Sequence, residues 1–127
     1  MQITKLKKLP KIEQQAIEEF KDRLIKKLGD NLVMLKLYGS KARGDWHGHS
    51  DIDILIVANG QKSDLKNQIY DILFQIEQKY NYNPIISPTV YSLRDYLKHI
   101  NPISSFLYTV KKDSQLLWQH QAYLNLA

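Results

Sequence analysis

The chain has 127 residues, 43% apolar and 24% charged, with no cysteine and a net charge of +5. That length suits one domain over residues 1–127, and the missing cysteines exclude disulfides, thiolate metal centres and cysteine nucleophiles while leaving the cytoplasm as the default location. No run of about 18 apolar residues is present to span a membrane, and the charged start of the chain lacks the apolar segment of a secretory signal.

The positive charge gathers early, at Lys5, Lys7, Lys8, Lys11, Lys21, Arg23, Lys26 and Lys27. Such a cluster suits an acidic partner or nucleic acid, but the solvated face of one helix accounts for it more simply. Pro10 can open that helix. Ile12, Ala16, Ile17, Phe20, Leu24, Ile25 and Leu28 recur at helical spacing, and Gly29 suits its end. A first strand follows over residues 32–38, apolar except for Lys36. Between Ser40 and Ser50 the reading is a short helical turn and then an exposed loop, with Lys41, His47 and His49 in solvent. The second strand runs from about Asp51 to Val57 and stops at Asn59-Gly60.

Ser63 is placed to cap a second long helix whose apolar stripe is Leu65, Ile69, Ile72, Leu73, Ile76 and Tyr80. After a break at residues 81–84, residues 85–91 read as a third strand. Pro88 removes one ladder donor there and points to an edge or a bulge. Ser92 and Asp95 have capping-box spacing for a short helix ending near His99. Asn101-Pro102 signals another helix start, with Ile103, Phe106, Leu107 and Val110 on one face. Leu116-Leu117-Trp118 forms a short last strand, and a tail remains. The alternation makes this an α/β (α+β) chain, a small mixed sheet flanked by helices.

Chemistry concentrates in residues 37–57, LYGSKARGDWHGHSDIDILIV. Strand side chains alternate, so Asp51 and Asp53 share a face while Ile52 points the other way. Two carboxylates at a strand edge repel each other and lose hydration, and a hard divalent cation is the simplest compensation. Mg²⁺ commonly uses one or two protein carboxylates with phosphate oxygens completing its shell. Gly39 lets backbone approach a ligand closely. Ser40 can cap a short helix whose free N–H groups favour phosphate.

The order apolar strand, Gly39-Ser40, Ala42-Arg43-Gly44, Ser50-Asp51-x-Asp53, apolar strand resembles the signature of the nucleotidyltransferase superfamily related to DNA polymerase beta. Within it, a short chain without a second domain looks like the minimal nucleotidyltransferase (MNT) family. The resemblance implies the nucleotidyltransferase fold, binding of ATP with Mg²⁺, and transfer of AMP to an acceptor hydroxyl. Residue by residue, it makes Asp51 and Asp53 catalytic metal ligands. Gly39, Ser40, Arg43 and Ser50 become the nucleotide-binding set. Arg43 could pair with phosphate bidentately, or be a helix-surface arginine beside Asp45. The resemblance also implies a partner, since MNT proteins act as antitoxins to HEPN-domain ribonuclease toxins and modify a tyrosine on them. A hetero-oligomer with such a toxin is expected, with no membrane or nucleic-acid role.

One departure stands out. Active members of the superfamily usually carry a third carboxylate on a neighbouring strand, and residues 85–90 here contain neither Asp nor Glu. Ser87 and Thr89 are weak metal ligands and poor bases. The later acids Asp64, Asp71, Glu77, Asp95 and Asp113 fall in predicted helices or turns. Two alternatives therefore stand beside catalysis: a module that neutralises its partner by contact, or a small-molecule nucleotidyltransferase subunit.

Overall fold

A computed structural model describes residues 9–48 and 50–126. The expectations placed on Lys5, Lys7, Lys8 and His49 lie outside the described residues.

Helix α1 (Lys11–Leu28) buries Ala16, Ile17, Phe20, Leu24 and Leu28, and ends at Gly29, whose φ of +54° only glycine adopts readily. Pro10 precedes the helix as its cap residue with extended ψ instead of occupying the first turn. Ile12, in the stripe by spacing, is 47% exposed in the first turn. The solvated basic face fails at Lys21, which is buried with Nζ 2.7 Å from Glu18. Position 21 follows Ile17 by one helical turn and so falls on the apolar stripe.

Strand β1 (Leu32–Tyr38) lies at the centre of a four-stranded sheet. It pairs antiparallel with β2 (Ile52–Ala58) on one side and with β4 (Gln115–Gln119) on the other. Strand β3 (Ile86–Ser92) runs parallel to β2 and forms an edge, as Pro88 indicated. A parallel pair needs a long crossover, and helix α3 (Lys62–Lys79) supplies it. Between β1 and β2 lies the short helix α2 (Ser40–Arg43).

Alternation along the strands builds two cores. Leu35, Leu37, Ile54, Ile56 and Leu117 face α1 and α3, where Phe20, Leu24, Ile69 and Leu73 meet them. Truncating a buried Phe or Leu in such a layer costs roughly 2–5 kcal/mol. Met34, Leu55 and Val57 face the other way, against Tyr96 of α4 (Leu93–His99) and Leu107 and Val110 of α5 (Ser105–Lys112). Ser92 caps α4 as read, its Oγ accepting the Asp95 N–H at 3.1 Å.

Three boundaries differ from the sequence reading. Helix α3 begins at Lys62, with Gln61 as cap residue and no side-chain cap, so Ser63 lies inside its first turn. There Asp64 supplies negative charge to the helix start. Helix α5 begins at Ser105 because the Ser104 hydroxyl accepts the Leu107 N–H at 3.2 Å. Asn101-Pro102 instead sits in the turn closed by the Ile100–Ile103 bridge, and Ile103 is 39% exposed. The expected tail folds as a 3₁₀ segment, Gln121–Leu126, held where the Tyr96 hydroxyl donates to the Leu126 carbonyl. Among the described residues no helix is long and apolar enough to cross a membrane.

Candidate active site

Strand β1 ends at Tyr38, and Gly39 then turns the chain with φ +78° and ψ −157°. That region is essentially reserved for glycine. The Gly39 carbonyl accepts the N–H groups of both Ala42 and Arg43 at 3.1 Å, so Gly39 caps α2. Ser40 is the first helical residue, which corrects its reading as the cap. Its hydroxyl carries none of the capping work.

Asp53 lies opposite Tyr38 in the β1–β2 register. A Cβ built on Gly39 would stand 2.6 Å from Asp53 Oδ2, so the turn is packed directly onto this carboxylate. Asp51 is exposed just ahead of β2, and Asp53 is half-buried. Burial, and then the Asp51 charge, push the Asp53 carboxyl above its ordinary range, while Arg43 acts in the opposite sense. The Ser50 hydroxyl is buried without a hydrogen-bond partner among the described residues. Arg43 is exposed and its Nε meets Asp45 Oδ2 at 3.1 Å, the surface pairing that was its alternative reading. His47 is exposed, as expected.

Lys41 overturns its reading as a solvated residue. It is buried, with Nζ 2.8 Å from Glu13 Oε1 of α1 and 3.8 Å from the centre of the Trp46 ring. The two charged atoms are misaligned for a hydrogen bond despite their closeness. The contact is therefore a charge pair under an aromatic lid. It ties α2, and with it the Gly39 turn, to α1. The available sign in the sequence was Trp46, a large apolar ring in a stretch read as exposed.

Strand β3 puts Ser87 beside Asp53 in parallel register, and Thr89 Oγ1 is 2.8 Å from the Tyr38 hydroxyl. Hydroxyls thus stand where a third carboxylate was sought. A further acid approaches from another element: burial, and then the Asp51 charge, raise the Glu77 carboxyl of α3 above its usual range. The sequence reading passed over Glu77 because it sits in a helix. Beside the carboxylates, the Tyr38 ring meets Phe106 edge-on at 5.5 Å, and Phe106 stacks on Tyr91 at 6.3 Å.

The donor set suits a hard cation. Asp51 and Asp53 offer carboxylate oxygens, and their mutual repulsion is what a cation relieves. No group of three or more His, Cys, Asp or Glu suited to a metal occurs among the described residues. A cation here would need phosphate oxygens to complete its shell, as Mg²⁺ commonly does.

A nucleotidyltransferase domain family profile matches residues 17–113. A candidate protein adenylyltransferase of Methanocaldococcus jannaschii is 34% identical over 97 residues, covering 73% of this chain and 65% of that protein. The match therefore spans just under two thirds of that relative. Among solved structures, spectinomycin adenyltransferase from Enterococcus faecialis, with ATP and spectinomycin, has a TM-score of 0.65 at 18% identity. The likeness covers 89% of this chain and 58% of that one. A toxin–antitoxin structure with AMP-PNP has a TM-score of 0.53 at 19% identity, covering 86% of this chain and 82% of that one. At these identities the structural likeness is one of fold.

Proposed function

Because the chain belongs to the nucleotidyltransferase domain family, we propose that it transfers AMP from Mg²⁺-bound ATP to a hydroxyl on a partner protein, a HEPN-domain toxin, and so acts as its antitoxin in the cytoplasm. The observation that carries this reading is the packing of Gly39 against Asp53, with the Asp51 charge acting on the same carboxyl. Asp51 and Asp53 hold the cation. Gly39 leaves room for the triphosphate, Ser40 and Ser50 offer hydroxyls to it, and Arg43 leaves Asp45 to pair with phosphate. Mg²⁺, when bound, supplies positive charge against the negative charge that develops on the leaving pyrophosphate. Lys41 and Glu13 keep the Gly39 turn fixed relative to Asp53, so that phosphate and acceptor meet in one geometry. Fold likeness to a toxin–antitoxin structure with AMP-PNP and to an adenyltransferase with ATP supports the reading.

The test is label transfer from ATP labelled at the α-phosphate, with Mg²⁺, to a co-purified partner. Wild type should label the partner, and Asp51→Ala/Asp53→Ala should not. A folded wild type that labels no partner overturns the proposal. A second reading, neutralisation by contact alone, draws on the hydroxyls of Ser87 and Thr89 in place of a third carboxylate. Under it, the Asp51→Ala/Asp53→Ala variant still neutralises the toxin.

A further inference from the structure

Lys36 is the one charged residue of β1 and is 7% exposed. It lies two residues along β1 from the Tyr38–Asp53 pair, opposite Leu55. Its side chain lines a cavity of about 190 Å³ on the α4/α5 side, walled by Leu55, Tyr96, Leu107 and Val110, with the exposed Lys111 of α5 also on its wall. Among the described residues, no Asp or Glu lines this cavity. Neither lysine has an ion pair or hydrogen-bond partner among the described residues. Burial, and then the Lys111 charge, lower the Lys36 ammonium below its usual range.

Two cations lining one cavity, with no Asp or Glu among its described lining residues, repel each other in the free chain. A multiply charged anion would relieve that repulsion. The volume holds about six waters at their liquid share, or one phosphate-sized ion with a few waters. We propose that this cavity binds a small oxyanion of the phosphate class between Lys36 and Lys111, separately from the nucleotide at Asp51 and Asp53. Orthophosphate and pyrophosphate share this chemistry, and pyrophosphate is also the by-product of the transfer proposed above.

The experiment is calorimetric titration of the full chain without divalent cations, using inorganic phosphate in one arm and pyrophosphate in the other. Wild type should bind at least one of them, and the stronger arm identifies the source. Lys36→Met, which keeps length and apolar packing, and Lys111→Gln should each weaken binding by about tenfold or more, the loss of one charge-assisted contact. Asp51→Ala/Asp53→Ala should keep the binding, so the outcome does not depend on nucleotidyl transfer. Melting curves confirm that each variant is folded. No heat with either anion in folded wild type overturns the proposal. So does binding that survives Lys36→Met, or that disappears in the Asp51→Ala/Asp53→Ala variant.

Discussion

Gly39 and Asp53 compete for the same space: Asp53 Oδ2 lies 2.6 Å from where a Cβ on residue 39 would be. Two independent demands thus meet at one glycine, its positive φ and its closeness to the carboxylate. The Gly39→Ala variant should remain folded while losing about 1–3 kcal/mol of stability to backbone strain. Its added methyl must displace the Asp53 carboxylate, so label transfer should fall about 100-fold, the scale of loss from a misplacement near 1 Å. Urea denaturation and a transfer assay on the same preparation measure the two effects.

The buried Lys41–Glu13 pair makes a different prediction. Removing one partner, as in Lys41→Met or Glu13→Gln, leaves a buried polar group without its mate and should cost about 3–5 kcal/mol. Replacing both, as Lys41→Met/Glu13→Leu, should recover most of that loss. Denaturation midpoints for wild type, Lys41→Met, Glu13→Leu and Lys41→Met/Glu13→Leu form a double-mutant cycle. Loss of the tie between α1 and α2 should also raise the KM for ATP in the single variants more than in the double.

Ser87 offers a gain-of-function test. It stands beside Asp53 across the β2–β3 pair, so Ser87→Asp introduces a carboxylate where the strand has only hydroxyls. If a missing base limits transfer, Mg²⁺-dependent labelling should rise by about tenfold or more, within the range of general-base catalysis. In the absence of Mg²⁺ the same variant should be less stable than wild type, because three acids then crowd together. Labelling rates and melting temperatures with and without Mg²⁺ check both parts.

Helices α1 and α3 are joined by Glu19, which pairs with Lys79 at 2.7 Å and with Arg23 at 2.7 Å and accepts from the Tyr80 hydroxyl at 3.1 Å. The Lys79 bond is the main reason the Glu19 carboxyl sits below its ordinary 4.5. A lowered folded value means the unfolded chain binds the proton more readily. The stabilisation is therefore fully present above 4.5 and is lost as pH falls below it, through the lower value of the folded chain. Glu19→Gln should be less stable than wild type near neutral pH, and the gap should close as pH falls below 4.5. Lys79 is 57% exposed, so the difference should be small and shrink in high salt. Denaturation across that pH range, with and without added salt, measures it.

Strong periodicity carried most of the fold in the sequence. The stripes of α1 and α3, the apolar β1 and β2, and Pro88 at an edge all appear where expected. What failed were positions where local chemistry competes with a nearby stronger signal. Ser104 outbids Asn101-Pro102 for the start of α5, because its hydroxyl satisfies a free backbone N–H. The neighbourhood of Gly39, Asp51 and Asp53 was legible because strand alternation and a glycine turn are local rules. Lys41 and Glu77 were not, since their roles depend on which face of α1 or α3 packs toward β2, a matter of tertiary contact. Lys36 was visible as an oddity in an apolar strand, yet only the arrangement of α4 and α5 reveals the cavity it lines.

The placement of Pro88 on β3 also bears on how this protein behaves when concentrated. An exposed sheet border normally offers a ladder of donors to any extended chain that collides with it. Here that border lacks a donor in mid-strand, which makes it a poor template for strand addition. Pro88→Val would restore the missing donor, and ordered aggregation seeded at that side should then exceed that of wild type.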